Sequence, residues 1–128
     1  MTTKGGMPKA VLNEKVAPGA PADEKFGFAS PWRTITFDRV VTLKDVQMAT
    51  GSIAGGTFVE AAIPWTDLGI TPQSGLVLKA DVGVLLGDTG GTTTVARHYW
   101  SNKATGLVND VPGEADLSPE LWGTWTLK

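Results

Sequence analysis

The chain has 128 residues, 41% hydrophobic and 19% charged, with a formal net charge of -2 and no cysteine. That composition describes one ordinary globular domain and argues against disorder of the whole. Eleven Lys and Arg against thirteen Asp and Glu, without a run of either sign, leave no basic stripe for nucleic acid, and no apolar stretch approaches the roughly 20 residues that cross a bilayer. Without cysteine, and with His98 as the one histidine, thiolate and multi-imidazole metal sites are excluded as well.

Sixteen Gly and eight Pro are spread through the chain in turn-like clusters, which predicts short elements. Residues 1–32 are broken repeatedly by Gly and Pro, and only residues 10–16 are expected to form a strand, so residues 1–25 read as an arm with one edge strand ahead of a domain over 26–128. From Arg33, Ile35 and Phe37 alternate with Thr36 and Asp38, then Val41 and Leu43 with Thr42 and Lys44, which predicts two short strands or one bent one. Residues 57–63 set Val59, Ala61 and Ile63 on one face, with Glu60 beside apolar neighbours on the other. Residues 64–68 predict a one-turn helical piece, with Pro64 in the first turn and Gly69 at its stop.

Residues 76–86 give the strongest strand pattern, with an aliphatic inner face of Leu78, Ala80, Val82, Val84 and Leu86. A Gly-rich turn over 87–91 joins it to a β-favouring run over 92–100, predicting a hairpin, and residues 122–127 alternate as a closing strand. About seven short strands with turns every ten residues or so predict an all-β fold, an antiparallel β-sandwich with one short helical turn.

Three stretches in order, residues 59–69 (VEAAIPWTDLG), 81–84 (DVGV) and 97–102 (RHYWSN), resemble the second half of the family 9 carbohydrate-binding modules. Residues 109–115 (NDVPGEA) and 119–123 (PELWG) add to the likeness, which covers residues 26–128. The resemblance implies a jelly-roll-like sandwich that binds sugar without catalysis, as an extracellular or periplasmic module of a larger exported bacterial protein, with calcium as a candidate cofactor. The strands that precede the Ser30-Pro31 region in such modules have no counterpart here, and the opening MTTKGGMPKA lacks the apolar core of a secretion signal. A homodimer, strands of the parent protein or the chain's own residues 9–16 are the expected covers for the edge this leaves.

Sugars are held by stacking their C–H faces on flat aromatics while charged or amide side chains bond the hydroxyls. Arg97, Trp100 and Asn102 offer those types within six residues, Trp32 is a second candidate platform, and Glu60 is a candidate polar contact. Each has a structural alternative: Trp100 packed in the core or rim, and Arg97 in a buried ion pair with Glu60 or Asp81. Trp65, Trp122 and Trp125 read as packing residues.

The loops over 87–91 and 109–114 supply hard oxygen ligands of the kind calcium takes, although turns use the same residues for conformational reasons. Asp110 and Glu114 are sequence neighbours in one loop and do not meet the cleft geometry of glycoside hydrolysis, and Ser101 near His98 lacks a nucleophile elbow, so no enzymatic activity is expected. Haem would need Met48 or His98 facing a large apolar cavity. The rival to sugar binding is a structural or protein-interaction sandwich that has no sugar site.

Overall fold

The computed structural model describes residues 8–31, 33–101 and 118–128. The chain is all-β. The strands are β1 (Ala10–Glu14), β2 (Phe26–Ser30), β3 (Arg33–Phe37), β4 (Arg39–Leu43), β5 (Gln47–Ile53), β6 (Gly56–Ala62), β7 (Val77–Ala80), β8 (Gly83–Gly87), β9 (Thr94–Tyr99) and β10 (Gly123–Thr126), with 3₁₀ turns at Ala22–Glu24 and Pro119–Leu121.

Strands pair antiparallel in twos: β1 with β4, β2 with β3, β5 with β6, β7 with β10 and β8 with β9. Two of these ladders enclose another. The β1–β4 ladder surrounds the β2–β3 hairpin, and the β7–β10 ladder surrounds the β8–β9 hairpin. In each nested unit one arm is interrupted by an aspartate, and in the first the other arm makes an excursion between β1 and β2. Asp38 separates β3 from β4, and its Oδ2 accepts the amide of Ala17 in the excursion between β1 and β2 at 3.1 Å. Asp81 lies between β7 and β8, and its Oδ1 accepts the amide of Ser101 after β9 at 2.9 Å. In both places a carboxylate satisfies a backbone donor that the ladder leaves over.

These ladders are narrower than the two broad sheets of a jelly-roll sandwich. The strand expected over 76–86 is two strands, β7 and β8, and at the break between them the Asp81 carboxylate accepts the neighbouring Val82 amide at 2.8 Å. Its aliphatic face is only partly covered: Leu78 and Ala80 are half-buried, but Val82, Val84 and Leu86 are exposed. The reading of residues 1–32 as loose also needs correction, since Phe26–Ser30 forms a strand whose Phe26 and Phe28 lie across from Phe37 and Ile35.

That cross-strand face is where the described core sits. Ile35 and Phe37 are each only 3% exposed. Phe28 meets Phe37 edge-to-face at 5.7 Å and Phe26 meets Phe28 at 5.0 Å, the geometry preferred by ring quadrupoles. Lys15 places its ammonium 5.3 Å from the centroid of the Phe37 ring.

The predicted strand over 10–16 is β1, and it is fastened to β4. Arg39, directly opposite Glu14 in the ladder, donates from Nη1 to Glu14 Oε2 and from Nε to Glu24 Oε2, both at 2.9 Å. These two bonds, that to Glu14 first, raise the guanidinium pKa above its already high ordinary value. The piece over 64–69 makes a single turn closed by paired bonds from Gly69 to Thr66 and from Ile70 to Trp65, with Gly69 at φ 65°. This is a Schellman closure, which favours glycine at the left-handed position.

Candidate functional site

The aromatic pair of the second nested unit starts from glycine. Gly123 and Trp125 alternate onto one face of β10, opposite Ala80 and Leu78 of β7. The indole of Trp100 lies over Gly123, where a Cβ would come within 2.9 Å of Cη2 and 3.1 Å of Cε3. Trp100 also stands 6.3 Å from Trp125, centroid to centroid, with the rings tilted by 60°. Trp100 remains 59% exposed and Trp125 40%. The arrangement offers two adjoining aromatic surfaces to solvent.

The backbone beneath Trp100 is fixed at three points. Its amide donates to the Val82 carbonyl at 2.8 Å, extending the β8–β9 ladder by one bond. The next residue, Ser101, donates its amide to Asp81 Oδ1 and accepts the Gly123 amide on its Oγ at 2.7 Å. Trp100 is thus tied both to its own hairpin and to β10 beyond it.

Arg97 is half-buried on β9 opposite Leu85, two residues before Tyr99, whose ring covers Gly83 across the ladder. Strand β9 ends at Tyr99, so Trp100 follows directly on the segment that carries Arg97. Glu60 stands exposed on β6 opposite Ala49, and no ladder joins that hairpin to β8–β9. It lines an open groove of about 410 Å³ with Gln47, Met48 and Ala61. His98 lies exposed on β9, on a different sheet from Met48. Trp32, Asn102, Asp110 and Glu114, together with the loop over 109–114, lie outside the described residues.

In the loop between β8 and β9, Asp88 accepts the amides of Thr92 at 2.8 Å and Thr93 at 3.3 Å on Oδ1, and the Thr92 hydroxyl at 3.1 Å on Oδ2. The Thr92 amide above all, then that of Thr93, holds its carboxyl below the ordinary range. Both carboxylate oxygens serve the loop itself. Among the described residues no cluster of three or more acidic or histidine side chains could hold a metal ion.

Trp125 was not distinguishable from a packing residue by local pattern, because its significance comes from Trp100, 25 residues earlier. The alternation that puts Gly123 and Trp125 on one face was the available signal. Compared with protein-family models, with curated proteins and with solved structures, the chain matches none.

Proposed function

We propose that the chain is a non-catalytic carbohydrate-binding module, with Trp100 as the stacking platform and Trp125 as its flank. The observation that carries the reading is an indole 59% open to solvent whose backbone is nonetheless pinned on both sides. A flat apolar surface held in place loses little conformational freedom on receiving the C–H face of a sugar ring, which is the economy a stacking site needs. Arg97, with Asn102 and Trp32 from outside the described residues, are the candidates for the surrounding contacts, whereas Glu60 lies on the separate β5–β6 hairpin. The likeness to family 9 modules supports the same reading and extends it to a jelly-roll sandwich and to an exported parent protein.

A second reading has its own observation. Val82, Val84 and Leu86 are exposed along alternate positions of the segment around β8, an apolar row suited to another protein surface. A glycan array probed with the intact chain separates the two. Retention on one class of glycan, lost on substituting Trp100, supports the sugar module. Retention on none, from a folded chain, rejects it in favour of a structural or protein-interaction role.

A further inference from the structure

The carboxylate of Asp81 and the hydroxyl of Ser101 form a short relay between the two ladders of the second nested unit. Asp81 Oδ1 receives the amides of Val82 and Ser101, at 2.8 and 2.9 Å. Ser101 Oγ then receives the amide of Gly123 at 2.7 Å. Gly123 is the residue whose missing side chain leaves room for the Trp100 indole. The residue next to the platform therefore grips the floor on which the platform rests.

We propose that Ser101 is a positioning residue for Trp100, with Asp81 holding Ser101 in turn, so that the Gly123 floor and the indole are locked in one orientation. The inference deepens the sugar-binding reading and rests on it for the word platform, although the geometry it describes can be tested without sugar. Its chemistry is specific. A hydroxyl accepts the Gly123 amide, a methyl group cannot, and a threonine at the same position keeps the acceptor. Loss of the acceptor leaves the half-buried amide at the end of β10 to find water, and opening that end for water lifts the strand away from the indole.

The test is fluorine NMR of the intact chain labelled with 5-fluorotryptophan, with the Trp100 signal assigned by Trp100→Phe. Ser101→Ala is expected to shift and broaden the Trp100 signal, and with it that of Trp125 on the strand it loosens, while the Trp65 signal and the circular dichroism stay as in the wild type, and Ser101→Thr is expected to restore it. If alanine unfolds the chain, Ser101→Cys, close in shape and a weaker acceptor, takes its place with the same expected shift. A Trp100 signal unmoved in a folded Ala or Cys variant, or moved equally by Thr, overturns the inference. Affinity for the glycan best retained on the array is expected to fall about fivefold in the alanine variant and to recover with threonine. A wild-type chain that binds no glycan overturns the sugar reading alone, because the fluorine signal still decides whether Ser101 holds the indole.

Discussion

Gly123 has no side chain, and the indole of Trp100 occupies the space one would fill. Gly123→Ala is therefore expected to lower stability by about 1–3 kcal/mol, the usual range for a side chain forced into occupied space, unless the ring is displaced outward. Urea unfolding measures the first outcome, and faster acrylamide quenching of tryptophan fluorescence the second. A variant unchanged in both would mean that the ring does not rest on the glycine. Asp88 is a different kind of residue, one whose effect depends on pH. Its folded carboxyl lies below the ordinary value of 3.8 because Thr92 and Thr93 donate to the ionised form. The stability it contributes is thus fully present above that ordinary value and is lost as pH falls through the depressed folded one. The difference in melting temperature between wild type and Asp88→Ala should be constant at neutral and mildly acidic pH and shrink below 3.8. A difference that persists undiminished at the acid end would contradict the assignment. At this scale the sequence was legible where one residue's chemistry is local, as with Gly69, whose left-handed backbone closes the turn after Pro64. It was not legible for Trp125 or Ser101, whose partners are distant in the chain.

Elements were legible in proportion to how far their alternation ran uninterrupted. Ile35 and Phe37 announced β3 because strict period-two patterning buries one face, and that face is the described core. Strand β2 escaped notice because Gly27 and the neighbouring prolines mask the alternation of Phe26 and Phe28, which becomes meaningful only opposite Phe37 and Ile35. Strand β5 was hidden by Gly51 in its interior, whose bare backbone is covered by the Phe58 ring from β6. The division at Asp81 was not foreseeable from hydrophobicity, since what marks it is a carboxylate that accepts two amides, one of them from 20 residues on. Among the elements, β1 depends most on charge. Arg39→Met removes the carboxylate bonds that fasten β1, through Glu14, and the excursion after it, through Glu24, to β4, and it should lower the thermal midpoint modestly, with a gap from wild type that narrows at high salt because the three side chains are partly exposed. A gap independent of salt would place the effect in packing of the arginine stem instead.

On the scale of the molecule, the two nested hairpin units repeat one plan, and the first is closed only by residues near the start of the chain. Removing residues 1–25 takes away β1, the Ala17 donor and both carboxylate partners of Arg39, and bares the edge of β4. Aggregation or a clearly lower unfolding midpoint is expected, whereas a monomer with an unchanged midpoint would show that β1 adds nothing to closure. All-β class was readable from turn spacing, but the breadth of the sheets was not, because ladder partners such as β7 and β10 are fixed by contacts some 45 residues apart in sequence. Sugar binding by stacking requires the exposed indole at the joint of the second unit. Isothermal titration of wild type and Trp100→Ala, both folded by circular dichroism, against the glycan best retained on the array tests it most directly. Measurable binding by the wild type and at least about a tenfold loss in the variant are expected, the equivalent of about 1.4 kcal/mol of stacking. Equal affinity in the two proteins would contradict it.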